Sequence, residues 1–410
     1  MAPLWKPSIP ALGGAMALAA LMLFRRRRDR TPDFREKCLL AAFWAYPVSA
    51  LPQLVQDFGD TFRGMDSPSK FLAAGLVYYA LASRKVSIPI PKLLSALSLG
   101  AIFSAVFMFY QCFVRQVERA SGGVGIIQFS DIAGISCVLC LAGFLGHSGK
   151  RGFSVWMACG ALCAASAVLF ARTRINWIAT LCAGAAAVAL LWPLLRKNPA
   201  QRLRLGMTMA ALILIAAGTF SIPFTRNIVR NRIAAAIAEL SAYTAGAENA
   251  TSVGTRIDLW RMSWRHFRES PVIGLGFRHR AAFNERLIEE NYIRTSQHRY
   301  GTMHNELLNA LSTKGLIGAS AILALYAAPL ALFLGRRRDA RDARQALPAV
   351  LGIATVIYYG IAGLAGEPLY VSVTSTYLAF LLAALASAAP EIETGPELVG
   401  NEPGHASRVA

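Results

Sequence analysis

Hydrophobic and polar positions along this chain fall into long blocks rather than a fine alternation. Apolar runs occupy 9–24, 37–56, 69–83, 93–114, 129–147, 152–171, 174–194, 205–223, 306–334, 346–366 and 370–389. A helix needs about 20 apolar residues to cross a bilayer core, and about 17 suffice for a short crossing. The runs at 9–24 and 69–83 are the short ones. Lipid offers no hydrogen-bond partner to a backbone amide, so each run is expected to be a helix. The pattern predicts an all-α polytopic integral membrane protein with about 11–12 transmembrane helices. The chain divides accordingly. Residues 1–223 form an N-terminal bundle of about 8 spans, and 306–389 supply about 3 more. Between them lies one long polar segment, 224–305, and a Pro/Glu/Gly-rich tail, 390–410, expected to be disordered.

Composition agrees with this reading. The chain is 55% hydrophobic and 16% charged, with a mean hydropathy of +0.43, against about 25% charged in ordinary soluble domains. The formal charge is +19, carried by 34 Arg and 8 Lys. Most of these cations sit in short loops. The cluster Arg25 to Arg28, then Arg84/Lys85/Lys92, Lys150/Arg151, Arg196/Lys197/Arg202/Arg204 and Arg336–Arg338/Arg341/Arg344 recur on one side of the predicted topology. That side is expected to be cytoplasmic, with the tail. The other side holds 57–68, 115–128, the turn 172–174, the segment 224–305 and the turn 366–370. Cations so dispersed between spans argue against a nucleic-acid partner. The seven cysteines lie almost entirely within apolar runs and do not make a disulfide framework. Cys137 and Cys140 have redox spacing, but they sit in mid-span. Neither a paired-carboxylate motif nor a zinc-binding helix motif is present, so no metal and no other cofactor is expected. The N-terminus lacks a short apolar core followed by a small-residue cleavage site, so a cleaved signal peptide is not expected.

The segment 224–305 changes the picture most. It carries twelve Arg, no Lys and seven acidic residues. A loop this long is exempt from the positive-inside rule. Its arginine excess therefore points to anionic lipid or phosphate. Residues 228–240 and 256–268 read as amphipathic helices. In the second, Ile257, Trp260, Trp264 and Phe267 share one side, and Asp258, Arg261, Arg265 and Arg268 another. A Trp-bearing face beside an Arg face suits the membrane interface. A surface helix packed on the bundle gives the same pattern.

Three places can carry chemistry. The first is His304. Thr302 is a plausible N-cap, which would put His304 in the first helical turn, where the helix dipole favours a neutral ring able to accept a proton. Asn305, Asn309 and Ser312 continue a polar stripe into the apolar run, and such groups at membrane depth usually line a cavity. A structural histidine at the membrane surface also fits. Gly315 and Gly318 suit close helix packing. The second place is the turn Arg172-Thr173-Arg174. Two arginines there oppose the charge trend, and Thr173 can cap a helix whose N-terminus points at the same spot. The third is Arg256, following Thr255 at the expected start of the second amphipathic helix. Downstream, Pro271 to Gly276 form a tight turn that aims Arg278, His279 and Arg280. Arg115, Arg119 and Gln128 are reserve ligands for phosphate or sugar.

Three patches, in order, resemble the O-antigen ligase and polymerase superfamily of membrane glycosyltransferases. Thr173-Arg174 with Trp177 is similar to its outer-turn Ser-Arg-Gly-x-Trp element. Ile175 replaces the usual small residue, which leaves open whether Arg172 or Arg174 is the functional arginine. Gly254-x-Arg256 with Trp260, followed by Pro271-x-x-Gly274-x-Gly276, looks like the family's periplasmic loop. His304-Asn305 with Gly315 and Gly318 matches the ligase form of the last motif. The resemblance implies a GT-C-like fold and an inverting, metal-independent transferase in the bacterial inner membrane, its active site facing the periplasm. The implied donor is an undecaprenyl-diphosphate-linked glycan, the implied acceptor is lipid A–core, and membrane lipids surround both. It implies His304, Arg256 and Arg174 as catalytic residues. Arg172, Asn305, Arg278, Arg261, Arg265 and Arg119 would bind substrate. An O-antigen polymerase or an O-linked oligosaccharyltransferase shares the donor chemistry. A transporter of lipid-linked sugars is the reading from another class.

Overall fold

A computed structural model describes residues 31–56, 58–59, 64–147, 151–197, 199–207, 210, 223–245, 252–290, 292 and 301–389. The expected span at 9–24, the cluster Arg25 to Arg28, most of 205–223 and the tail 390–410 lie outside the described residues.

The described chain is helical, as the blocks of apolar residues require. In order, the helices are α1 (Phe34–Val48), α2 (Leu51–Gln56), α3 (Asp66–Ser83), α4 (Ile90–Phe109), α5 (Ile126–Gly146), α6 (Arg151–Ala171) and α7 (Arg174–Leu195). There follow α8 (Pro223–Thr244), α9 (Ser252–Glu269), α10 (Gly276–Glu289), α11 (Glu306–Asp339), α12 (Ala343–Ala362) and α13 (Ser372–Ala386). A two-residue parallel pairing, Ile88 with Ala388 and Pro89 with Ala389, is the one strand contact among the described residues.

Seven helical stretches are long and apolar enough to cross a membrane: Phe34–Val55, Ile90–Val114, Ile126–Gly146, Arg151–Ala171, Arg174–Leu195, Glu306–Asp339 and Ala343–Ala362. The chain is a multi-pass membrane protein. Two expected spans are less apolar or shorter than a full crossing. The run 69–83 lies in the 18-residue α3, and 370–389 lies in the 15-residue α13. The spans differ in their surroundings. In α5 and α12, 78% of the most apolar window is buried inside the protein, against 22% in α4. Thus α5 and α12 form the centre, and α4 turns most of its surface to lipid. Their shared core includes Phe43, Phe71, Tyr78, Leu94, Ile135, Leu139, Phe333, Tyr358 and Tyr359.

The bundle has two distinct ends. At one, Ile88 pairs with Ala388, Arg336 reaches Glu36, and Arg337 donates to the carbonyl of Leu190. The described basic clusters of the short loops gather there. The opposite end holds the turns 115–125, 172–173 and 363–371, with α8, α9 and α10 lying over them.

One helix is broken where the sequence gives an apolar run. In α11, Gly315 has φ 58° and ψ −150°, a conformation essentially restricted to glycine. The turn after α9 docks into the break. The amides of Leu316 and Ile317 donate to the carbonyls of Pro271 (2.8 Å) and Val272 (3.2 Å), and the Leu275 amide donates to Ser312 O (3.1 Å). Each half of the broken helix thus has its orphan groups capped by the loop. Gly274, at φ 74°, makes the matching close approach: a Cβ there would lie 2.4 Å from the Lys314 amide nitrogen. The motif glycines were expected to serve helix packing. Gly315 instead makes a discontinuous helix of the kind tolerated at membrane depth when protein covers the exposed backbone.

Candidate functional site

The site lies at the end of the bundle that α8–α10 cover. Its first component comes from the short turn between α6 and α7. Arg174 is the first residue of α7 and pairs with Glu239 of α8, Nη2 to Oε1, at 3.4 Å. The other oxygen of Glu239 accepts from the amide of Val253 at 3.1 Å, so one carboxylate joins Arg174 to the first turn of α9. Thr173 occupies the N-cap position, but its hydroxyl makes no capping bond and meets Ser130 at 2.5 Å instead. One half-turn deeper, Asn176 donates to the buried Asp131 at 2.8 Å.

Arg256 is the second component. Helix α9 starts at Ser252, earlier than the sequence implied, so Thr255 is a buried helical residue rather than a cap. Burial lowers the pKa of Arg256, the nearby charge of Arg174 lowers it further, and Glu239 and Glu367 oppose the shift. Two guanidinium groups close enough to repel each other, with carboxylates at the margin, favour an added anion.

His304 is the third component. Thr302 is not a helix cap. Asn305 is, through its Oδ1 and the Leu308 amide at 3.0 Å, and α11 begins at Glu306. His304 therefore precedes the helix, in left-handed backbone at φ 49°. Its pKa is lowered, as expected, but for another reason: burial first, then the charge of Arg256. The structure brings Arg174, Arg256 and His304 into one electrostatic neighbourhood.

The remaining expected ligands are placed less uniformly. Arg172, in left-handed backbone at φ 54°, pairs with Glu118 at 2.9 Å. It thereby faces the 115–125 loop, whereas Arg174 faces α8. Arg119 donates its Nε to Ala171 O at 3.2 Å, at the end of α6. Asn305 uses both ends of its amide in the fold, since its Nδ2 also donates to Leu364 O at 3.0 Å. Arg261 and Arg265 lie over the Tyr292 ring at 4.8 and 4.7 Å, and Arg265 also pairs with Glu290 at 2.9 Å. Nine residues of α-helix separate Arg265 from Arg256, which is about half a turn around the axis, so they point to opposite faces. These two arginines hold α9 to the segment after α10. Trp260 and Trp264 are exposed, and the buried face of α9 runs instead through Asp258, Leu259, Met262, Ser263 and His266. Arg278 lies in α10; its side chain is outside the described residues.

Other residues packed at the site carry little sequence signal. His266 is fully buried, with Nδ1 2.7 Å from Ser312 Oγ and Nε2 2.7 Å from Asn284 Oδ1. Its pKa falls to about 3, mainly through burial and then through Arg280. The ring is neutral, and it ties α9, α10 and α11 together. Arg280, also buried, donates to Asn309 Oδ1 at 3.4 Å and to Gly301 O. Ser263 Oγ donates to Leu308 O at 2.6 Å. The polar stripe Asn309–Ser312 does line an interior, but α9 and α10 fill it. Glu367, in the turn before α13, is buried; burial raises its pKa, and the Thr302 hydroxyl and the amides of His304 and Asn305 oppose the shift. The alternation of polar residues on α9 was the one available hint of His266. Glu367 lay in a short turn with no pattern around it.

Comparison with known proteins bears on this arrangement. Residues 158–323 match the family model described as O-Antigen ligase. Over that stretch the chain is similar to the O-antigen ligase family. The stretch runs from within α6 to within α11 and contains Arg172, Arg174, Arg256, Arg261, Arg265, Arg278, His304 and Asn305. Arg119 and Glu367 fall outside it. The O-antigen ligase family belongs to a superfamily of membrane glycosyltransferase-like enzymes, so the resemblance in the three short motifs extends over a continuous stretch. A relative from Haemophilus influenzae, described as an uncharacterized protein, is 23% identical over 326 residues, 78% of each chain.

Proposed function

We propose that this protein is an O-antigen ligase, moving a glycan from undecaprenyl diphosphate to a sugar hydroxyl of lipid A–core. The reaction would take place on the periplasmic side of a bacterial inner membrane. The observation that carries the proposal is the convergence of Arg174, Arg256 and His304 inside the stretch that is similar to the O-antigen ligase family.

The chemistry needs a base for the acceptor and a cationic site for the leaving group. The acceptor hydroxyl oxygen attacks the anomeric carbon from the face opposite the diphosphate. The carbon–oxygen bond to the carrier breaks with inversion, and the hydroxyl proton passes to the imidazole of His304. Burial and then the Arg256 charge lower its pKa and so favour the neutral imidazole, the form that can act as a base, worth about 10²–10⁴-fold. Negative charge grows on the departing lipid diphosphate. Arg174 and Arg256 are fixed cations whose mutual repulsion the anion relieves, which is electrostatic preorganisation. In this reading no metal is required. Arg172, Arg119, Arg261 and Arg265 are engaged elsewhere, by Glu118, Ala171 O, Tyr292 and Glu290, and stand outside the reacting centre.

The test is reconstituted transfer. Purified protein in liposomes is given lipid-linked O-antigen and rough lipopolysaccharide, with wild type beside His304→Ala. A lipopolysaccharide ladder from wild type alone, with donor binding intact in the variant, is the expected result. Longer glycans on the lipid carrier without a ladder would make the protein a polymerase. Glycan transfer to a protein hydroxyl would make it an oligosaccharyltransferase. Ligation by His304→Ala at the wild-type rate would overturn the base assignment. A chelator is expected to leave the wild-type rate unchanged.

A further inference from the structure

The first turn of α7, which presents Arg174, is gripped from the side of α5 by two consecutive residues. Ser130 Oγ and Thr173 Oγ1 meet at 2.5 Å, and Asn176 Nδ2 donates to Asp131 Oδ1 at 2.8 Å. All four residues are buried, Asp131 at 1% exposure and Asn176 at 0%. Helix α12 closes the group from behind, where the Tyr358 hydroxyl donates to Ser130 O at 3.2 Å. The Thr180 hydroxyl donates back to Asn176 O at 2.7 Å. A Cβ at Gly134, one turn along α5, would stand 2.3 Å from the Tyr358 hydroxyl and 2.8 Å from the Thr180 hydroxyl. The three helices therefore meet here at close range.

A carboxylate buried inside a membrane-embedded bundle is expensive, and apolar packing would hold two spans together without it. Asp131 takes an amide as its partner rather than a cation, so it does not neutralise a charge. What the pair of contacts supplies is direction. Two bonds to residues three apart on one side of α7 fix both the rotation and the depth of its first turn. Successive residues of an α-helix are about 100° apart around the axis, so Arg174 leaves α7 about 200° from Asn176. With Asn176 held against α5, Arg174 faces away from it. That is where Glu239 of α8 receives its guanidinium at 3.4 Å, and the second oxygen of Glu239 takes the amide of Val253. Arg256 follows Val253 by one helical turn. Turning the start of α7 by one residue would swing Arg174 about 100° off this line.

We infer that Asp131 is a positioning residue for the diphosphate site, holding the first turn of α7 through Asn176 so that Arg174 faces α8 and α9. The inference rests on the ligase reading for its catalytic consequence, but not for its structural content. A misplacement of about 1 Å at a reacting group lowers a rate by roughly 10²-fold.

The experiment uses the full chain in liposomes and compares wild type, Asp131→Ala and Asp131→Asn, each also in an Arg174→Ala background. Three quantities are read: transfer to lipopolysaccharide, binding of undecaprenyl diphosphate, and amide hydrogen exchange over 174–180. Exchange within α12 is the control for folding. The Asn carbonyl still accepts from Asn176, whereas Ala accepts nothing. Asp131→Ala is expected to lower kcat/KM roughly 10²-fold, to weaken undecaprenyl diphosphate binding and to speed exchange at the start of α7. Asp131→Asn is expected to keep most of the rate, affinity and protection. In the Arg174→Ala background, Asp131→Ala should weaken binding no further, because the guanidinium it directs is gone. A purely structural role would lower binding by the same factor in both backgrounds. Three outcomes overturn the inference: unchanged exchange over 174–180 in Asp131→Ala, equal losses of binding in the two backgrounds, or an Asp131→Asn protein as impaired as Asp131→Ala. If wild type binds undecaprenyl diphosphate but transfers nothing to lipopolysaccharide, the ligase reading fails, and binding and exchange still decide the role of Asp131.

Discussion

Both ends of the helical bundle gather arginines, and they use them in opposite ways. At the end away from the site, Arg336 donates to Glu36 at 3.1 Å and to Ala386 O at 2.5 Å, and Arg337 donates to Leu190 O at 2.9 Å. Those cations staple helix ends together. At the site end, Arg174 and Arg256 stand close enough to repel each other, and a single carboxylate, Glu239, reaches from Arg174 to the first turn of α9. Cations whose partners saturate them hold a fold. Cations pressed together and partly desolvated await an anion. Within two residues of chain the turn divides: Arg172 pairs with Glu118, and Arg174 pairs with Glu239 beside Arg256.

The sharpest way to break that comparison is to delete one arginine from each end. Arg256→Ala and Arg174→Ala are each expected to lower transfer by about 10²–10³-fold and to weaken donor binding, with little loss of thermal stability in detergent. Arg174→Lys should restore little, because a point charge does not replace a planar fork on a diphosphate. Arg336→Ala should do the reverse. It leaves the buried carboxylate of Glu36, 2% exposed, without its ion pair and should cost about 3 kcal/mol of stability, with transfer per folded molecule unchanged. A stability loss in Arg256→Ala as large as that in Arg336→Ala would erase the distinction.

The helix break gives the next largest effect. A Cβ at Gly315 would lie 2.5 Å from the carbonyl of Val272, and the backbone conformation itself costs about 1–3 kcal/mol for a residue with a side chain. Gly315→Ala should therefore lower both the melting temperature and transfer, whereas substitutions at the lipid-facing, exposed Leu323 should leave both near wild type.

An effect that is small near neutral pH and grows in acid comes from His266, whose folded pKa is about 3 against an unfolded value near 6.5. The unfolded chain binds the proton more readily, so stability is full above about pH 6.5 and falls as the pH drops towards 3, by up to about 1.4 kcal/mol per pH unit. His266→Gln should flatten the slope of melting temperature against pH in that window. The smallest effect belongs to Arg172→Ala, which removes a pair with a largely exposed Glu118. It should cost less than about 1 kcal/mol and leave transfer near wild type. A transfer defect equal to that of Arg174→Ala would show that both arginines meet the donor.

The amino-acid sequence by itself determined the helices, the gathering of short-loop cations at one end and the arginine-rich segment opposite. Periodicity and run length report local burial, and local burial is what makes a helix. It also nominated Arg174, Arg256 and His304 as candidates, because each sits in a motif of fixed spacing. Only the tertiary structure decided which of Arg172 and Arg174 turns to the cluster, since that depends on Glu118 and Glu239, each more than fifty residues from its partner. It also moved the start of α11 past His304 and split that helix at Gly315, because the carbonyls of Pro271 and Val272 cap the second half. His266 and Glu367 became visible only when α9 and the 363–371 turn were packed against α11, and the burial of Arg280 only with α10 in place. A buried polar residue is defined by its partners, and those partners lie far away along the chain.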